Sequence, residues 1–93
     1  GKHHLMKEVF LSQRTANSAY VSVKSIFIEA FRHEAVHLIL LHNHPSGCPD
    51  PSREDLVLTR KIRGAGELLG IPLTDHIIIG DRCFTSLREQ KMM

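Results

Sequence analysis

The spacing of apolar residues along the chain predicts two helices. Residues 22–33 carry apolar side chains at helical intervals, and Ser22 can cap the first turn. Residues 52–69 form the second predicted helix, because the segment opens with the Ser-x-x-Asp spacing of a capping box and is followed by Gly70, a suitable stop. The apolar stripe of the first helix comprises Val23, Ile26, Phe27, Ala30 and Phe31.

Four other segments read as strands. Residues 5–11 mix apolar and charged positions, whereas residues 36–41 are a nearly continuous apolar run typical of a buried central strand. Residues 76–79 and 83–87 follow the second helix as two further short strands. The order β-α-β-α-β-β predicts an α/β fold in which helices flank a sheet. The length of 93 residues predicts one domain spanning residues 1–93.

Composition narrows the class of protein. Twelve basic and ten acidic residues leave a net charge of +2, and a local basic group lies at Arg60, Lys61 and Arg63. That group predicts a solvated helix face, with nucleic-acid binding as the alternative. Two cysteines without a paired-cysteine pattern argue against a disulfide scaffold and fit a reducing cytoplasm. No apolar run is long enough to span a membrane, and no signal-peptide pattern opens the chain.

Metal-capable side chains are concentrated after the central apolar run. His42 and His44 are two residues apart, so in extended backbone both rings point to the same side. Asp55 lies in the first turn of the next predicted helix and offers a carboxylate oxygen. Two imidazoles and a carboxylate with a free fourth position are typical of catalytic zinc. The alternative is a strand that ends in histidines and a helix cap with no metal.

Other polar residues near this segment admit two interpretations each. Ser52 is placed to cap its helix and could also donate a hydrogen bond to an oxyanion beside a metal. Cys48 reads as a free loop thiol, or as a fourth ligand. His37 alternates to the face opposite His42 and is predicted to be no ligand. The pair Asp75-His76 reads as a structural strand start, with a contact to the metal ligands or the substrate as the alternative.

Several sequence motifs together resemble one protein family. The segments HNHPSG, PSRED and LGIPLTDHIIIGD, with the earlier TANS and SIFIEAF, resemble RadC proteins over residues 5–89, and the histidine segment resembles the broader JAMM (JAB/MPN) metalloproteases. The resemblance implies a cytidine-deaminase-like sheet flanked by helices and a zinc-dependent hydrolase acting on a peptide or protein. It implies His42, His44 and Asp55 as zinc ligands and Ser52 as the catalytic, oxyanion-stabilising serine.

Two departures from the family pattern qualify that expectation. The JAMM general-base glutamate aligns before Gly1, so we expect a fragment, or a short member, that lacks the first strand. Glu8 is a weaker candidate for that role, and the acidic residues Glu34, Glu54 and Glu67 are expected on solvent-facing helix positions. Arg14 stands where the family usually has glycine.

The resemblance also leaves the partners open. A missing first strand would expose a sheet edge, which favours pairing with a second copy of the chain. RadC proteins carry a DNA-repair name, so the second hypothesis is a DNA-associated module with a vestigial metal. Metal-dependent phosphodiester hydrolysis is a variant of that hypothesis.

Overall fold

The computed structural model describes residues 22–93 and shows a small α/β arrangement of two helices and a three-stranded mixed sheet. The predicted strand at residues 5–11, together with Glu8 and Arg14, lies outside the described residues. The elements follow the predicted order α-β-α-β-β over the described part, as α1 (Val23–Arg32), β1 (Leu38–Asn43), α2 (Arg53–Leu69), β2 (Leu73–Ile79) and β3 (Phe84–Ser86).

The strands lie in the order β1-β2-β3. β1 and β2 are parallel and connected through α2, while β2 and β3 are antiparallel and joined by a short turn. Because β1 and β2 run in the same direction, their carboxyl ends share one edge of the sheet. His42 pairs with Ile78 near that edge. The residues that follow His42 therefore lie beside the carboxyl end of β2.

Side-chain and backbone caps set the helix ends where the sequence predicts them. The hydroxyl of Ser22 accepts a hydrogen bond from the Ser25 amide at 3.0 Å. Ser52 caps α2 with a capping box, and Gly70 ends that helix in the left-handed conformation with a φ of 75°. None of the helices in residues 22–93 is long and apolar enough to cross a membrane.

One core joins both helices to the same face of the sheet. Leu38 and Leu40 of β1 pack against this core. Phe31, which the sequence places on the apolar stripe, is 56% exposed near the C-terminal end of α1 and does not join the buried core. The buried apolar members of the core are Ile26, Phe27, Ala30, Ile62, Ile71 and Leu73.

The strand predicted as central, β1, differs from its prediction in bounds and in burial, and within residues 22–93 it lies at an edge of the sheet, next to β2. β1 begins at Leu38 and extends through Asn43, two residues later than the apolar run suggests, because its ladder with β2 continues through the histidine segment. Burial on both faces is also wrong for this strand, since Ile39 and Leu41 are 50% and 63% exposed. Both helices contribute to the core on the opposite face, and the described residues leave Ile39 and Leu41 uncovered.

The last two strands also differ from their predicted bounds. β2 begins at Leu73 rather than at residue 76, because Leu73 already pairs with Leu38 before a register shift in the ladder. β3 is limited to Phe84–Ser86, since only these residues pair with β2. The polar residues Thr74 and Asp75 obscure the start of β2 in the sequence pattern.

Candidate metal centre

The end of β1 positions both histidines on the helix-facing side of the sheet. His42 shares its side of the strand with Leu40, as the alternation of half-buried and exposed residues along β1 shows. The His44 amide donates a hydrogen bond to the carbonyl of Ile79 at 2.9 Å, which continues the parallel ladder one step past the strand. The extended backbone therefore persists through His44, and the two rings converge as the spacing predicts.

The first turn of α2 holds the third member of the group. The Asp55 amide donates to the Ser52 hydroxyl oxygen at 3.0 Å, and the Ser52 amide donates to Asp55 Oδ2 at 2.8 Å. This reciprocal pair is the predicted capping box. Asp55 is fully buried, so its carboxylate has one orientation set by the helix end itself.

The three predicted ligand residues meet in space. His42 Nδ1 lies 2.9 Å from Asp55 Oδ1, and His44 Nε2 lies 2.8 Å from Asp55 Oδ2. One ligand atom from each residue lies within 4.8 Å of the others, a separation at which the three can share an ion. Asp55 forms the closed floor, whereas the His42 and His44 side chains are 21% and 14% exposed and form the solvent side.

A backbone contact determines which nitrogen of His44 is available. His44 Nδ1 lies 2.9 Å from the carbonyl oxygen of Cys48, which can only accept, so Nδ1 carries the hydrogen. In the neutral ring Nε2 then has a free lone pair that faces the Asp55 carboxylate. Two electron-rich atoms at 2.8 Å repel each other unless a proton or a metal cation lies with them. The arrangement is the one in which a carbonyl orients a metal-binding histidine.

The buried carboxylate also has unused acceptor capacity. Among the described residues, Asp55 Oδ1 accepts no hydrogen bond although it is fully buried. His42 Nδ1 lies 2.9 Å from this oxygen but does not form a hydrogen bond with it. An unsatisfied buried carboxylate oxygen costs free energy unless another positive group neutralises it. A cation bound by the three residues would satisfy it.

The surroundings of Asp55 favour the ionised form of its carboxylate. Burial raises the pKa of Asp55, but the hydrogen bond from the Ser52 amide and the nearby Ser52 hydroxyl and imidazoles of His44 and His42 outweigh it. The net result is a pKa below the usual value, so Asp55 is anionic at neutral pH. An anionic oxygen beside two imidazole nitrogens is a suitable donor set for a divalent transition metal.

A buried histidine, His76, lies beside the three-residue group. His76 of β2 is 1% exposed, and its ring is nearly parallel to that of His42 at a centroid distance of 6.2 Å. Its Nδ1 lies 2.7 Å from the hydroxyl oxygen of Thr59, which is itself buried on α2. Burial is the main cause that lowers the pKa of His76 to about 4, against the opposing attraction of Asp55. His76 is therefore neutral at physiological pH.

The sequence interpretation missed Thr59 and left His76 with two alternatives. A signal for Thr59 was present, because it falls on the buried stripe of α2, four residues after Asp55 and three before Ile62. A hydroxyl on such a stripe needs a buried partner. Its partner lies on a different element, which periodicity along one helix does not reveal.

The remaining candidates lie apart from the three-residue group. Cys48 is exposed, and its thiol donates to an Asp50 oxygen at 3.4 Å, in keeping with a free loop thiol. His37 is exposed, as predicted for a residue outside the site.

Asp75 accepts hydrogen bonds from the Ser86 hydroxyl and the Arg88 amide at 2.5 and 3.0 Å. Asp75 therefore holds the C-terminal turn against β2, which is a structural role.

Three glutamates that could have supplied a base are exposed. Glu54 and Glu67 occupy solvent-facing positions of α2, as the sequence predicts. Glu34 lies in the turn after α1, with a positive φ of 53°, rather than on a helix. Among residues 22–93, the group that could hold a metal comprises His42, His44 and Asp55, without a glutamate.

Comparison with known proteins assigns this chain to a family. The family model for the RadC-like JAB domain matches residues 1–92 of the chain. The chain belongs to the RadC family. Within this family it is similar to a UPF0758 protein of Geotalea uraniireducens, with 47% identity over 93 residues that cover all of the chain and 41% of the relative.

Other UPF0758 proteins give the same result. That of Geobacter sulfurreducens is 49% identical over 86 residues, or 92% of this chain and 38% of the relative. That of Halalkalibacterium halodurans is 53% identical over 74 residues, or 80% of this chain and 32% of the relative. The RadC-like JAB domain described here thus spans about two fifths or less of the length of these relatives.

Proposed function

We propose that this RadC-like JAB domain binds Zn²⁺ through His42, His44 and Asp55 and hydrolyses amide bonds in a peptide or protein substrate. The observation that carries the proposal is the buried Asp55 carboxylate, which faces two imidazole nitrogens and has an oxygen without a hydrogen-bond donor among the described residues. Two nitrogens and one oxygen suit zinc and leave a coordination position for a reactant.

Each residue of the group has a distinct task in this proposal. Asp55 supplies the negative charge, and its capping-box contacts keep the carboxylate aimed at the histidines. His44 is oriented by the Cys48 carbonyl, which leaves Nε2 free to coordinate. When bound, zinc would supply Lewis acidity and lower the pKa of coordinated water to about 7.

Ser52 is the proposed oxyanion donor. Its oxygen accepts from the Asp55 amide, which leaves the hydroxyl hydrogen without an acceptor among the described residues. The hydroxyl can therefore cap α2 and still donate to a substrate carbonyl oxygen as that oxygen gains negative charge. Because Ser52 and Asp55 share one capping box, the donor and the metal would keep a constant separation.

Metal content tests the binding part of the proposal. Protein loaded with excess zinc and then desalted should retain about one zinc per chain by mass spectrometry of the metal, as a single three-residue site requires. His44→Ala should lose that zinc, whereas His37→Ala, which removes an exposed histidine outside the site, should keep it. A folded parent protein that retains no zinc would refute the site.

Substrate cleavage tests the reaction separately. Residues 22–93 bring no glutamate to the metal group, so cleavage should be slow. A quenched fluorescent peptide with a lysine isopeptide bond and a matched α-peptide should be cleaved slowly by the zinc-loaded protein and not at all by His44→Ala. Zinc binding without cleavage of either peptide would refute amide hydrolysis while leaving the metal site intact. Cleavage of bis-p-nitrophenyl phosphate alone would show that the attacked atom is phosphorus.

A DNA-associated role is the second candidate, favoured by one observation. Arg60, Lys61 and Arg63 are all exposed on α2. Binding to duplex DNA should then weaken with salt, with a slope of several charges, and replacement of all three by glutamine should reduce that slope. Absence of binding at low salt would refute it.

The proposal also covers the cellular location and the self-association of the protein. Free Cys48 and Cys83 support a cytoplasmic location, where thiols stay reduced. Association of two copies through a sheet edge is also proposed, and sedimentation of the protein would test it.

A further inference from the structure

A buried chain of two hydrogen bonds connects β2 to the turn that carries Asp55. Thr59 Oγ1 donates to the Asp55 carbonyl oxygen at 2.7 Å, since a carbonyl can only accept. A hydroxyl has one hydrogen, so the same oxygen accepts from His76 Nδ1 at 2.7 Å. Thr59 and His76 are 2% and 1% exposed, so water does not compete for either bond.

The pair of Thr59 and His76 contacts the metal group at two residues, Asp55 and His42. At Asp55, Thr59 holds the carbonyl, while Ser52 holds the amide and one carboxylate oxygen, so the residue is held on both sides of its Cα. At His42, the ring of His76 lies alongside, with an angle of 13° between the planes. His76 pairs with Leu40 in the sheet, two residues before His42.

We propose that His76 and Thr59 form a positioning pair that sets the distance between His42 and Asp55 and thereby the affinity of the metal site. The inference rests on the proposed metal binding. His76 is not a member of the three-residue group whose ligand atoms lie together, and its Nδ1 donates to Thr59. The pair links β2, the strand that follows the crossover, to the N-terminal half of α2, and Ile62 of α2 and Leu73 of β2 share the apolar core.

Breaking the same hydrogen bond from either end tests the pair. Thr59→Val keeps the side-chain shape and removes the hydroxyl, whereas Thr59→Ser keeps the hydroxyl and is the matched control. His76→Phe keeps a ring beside His42 and removes the donor. Removal of a residue that orients metal ligands typically weakens metal binding by about 10–100-fold. We expect that loss in Thr59→Val and His76→Phe, and parent affinity in Thr59→Ser.

Three measurements separate a positioning role from a merely structural one. Zinc affinity is measured by competition with a chromogenic chelator, ligand geometry by the visible absorption of the Co²⁺-loaded protein, and folding by urea unfolding without metal. Positioning predicts a weaker zinc affinity and an altered Co²⁺ spectrum in Thr59→Val. The double variant Thr59→Val/His76→Phe should bind zinc no more weakly than the worse single variant, because Thr59→Val already removes the hydrogen bond that His76→Phe breaks.

The outcomes that overturn the inference are distinct from failure of the metal site. A lower urea midpoint in Thr59→Val with unchanged zinc affinity and Co²⁺ spectrum shows a structural role only. If Thr59→Val does not fold, His76→Phe with parent affinity overturns the inference by itself. A parent protein that binds no zinc refutes the proposed function, and the inference with it.

Discussion

The buried imidazole of His76 should make the stability of this domain depend on pH. In the folded protein the pKa of His76 is about 4, whereas in an unfolded chain a histidine has its ordinary pKa of 6.5. Below pH 6.5 the unfolded state binds a proton that the folded state does not bind, so acid favours unfolding. The contribution is therefore complete above pH 6.5 and is lost as the pH falls toward 4.

The size of this effect follows from the difference between the two pKa values. One pKa unit corresponds to about 1.4 kcal/mol, so a difference of about 2.5 units gives a loss of roughly 3 kcal/mol in the free energy of unfolding. Small domains are stable by only about 5–15 kcal/mol, so this loss is readily measured. Asp55 and Asp75 have lowered pKa values, so their stabilising contributions are lost at lower pH, below about 4.

Urea unfolding between pH 4.5 and 7.5, with a chelator present to remove metal, measures the effect. His76→Asn removes the titrating ring and keeps a nitrogen donor for Thr59, so its free energy of unfolding should fall less steeply with acid than that of the parent. His37→Asn replaces an exposed histidine and should follow the parent curve. Parallel curves for the parent and His76→Asn would show that His76 does not carry the pH dependence.

Four further substitutions test helix packing, the role of Ser52 and the apolar core. Gly66→Ala places a Cβ against the Ile71 carbonyl oxygen, whereas the Cβ of Gly64→Ala meets no atom within 4 Å beyond its own helix backbone. Alanine favours both helix positions equally, so urea unfolding should show Gly64→Ala more stable by about 1–3 kcal/mol; equal stabilities would contradict the close packing. Ser52→Ala should lower the unfolding free energy by about 1 kcal/mol, and peptide turnover of the zinc-loaded protein by about 10²-fold, while zinc content stays unchanged. Ile62→Ala, at a fully buried site, should cost about 2–5 kcal/mol by the same unfolding measurement, and a loss below 1 kcal/mol would show that its site collapses.

The elements that sequence reasoning located well are those whose signals are local. Ser22, Ser52 and Gly70 mark helix ends through contacts with residues a few positions away, so their roles need no knowledge of the fold. The order of elements follows from the same patterns and from the loop that carries three prolines. Strand limits were less accurate, because pairing with β2 extends β1 past the apolar run.

For the candidate site, too, the sequence predicts the local geometry of each residue but not the distances between elements. His42 and His44 are two residues apart on one strand, and Asp55 is joined to Ser52 by a capping box, so spacing alone assigns each residue its local geometry. Family resemblance added that the two halves meet. What spacing does not contain is the distance between the strand and the helix, which depends on the packing of α2 against β2.

The sequence by itself determined which residues could bind a metal and which helix end would hold the carboxylate, because these depend on residue type and short-range backbone geometry. Only the tertiary structure decided that Asp55 is fully buried with one oxygen unsatisfied among the described residues, and that His76 and Thr59 close a hydrogen-bonded chain behind it. These features join residues of different elements, and burial and hydrogen bonding between elements arise only when the parallel crossover places α2 over β1 and β2.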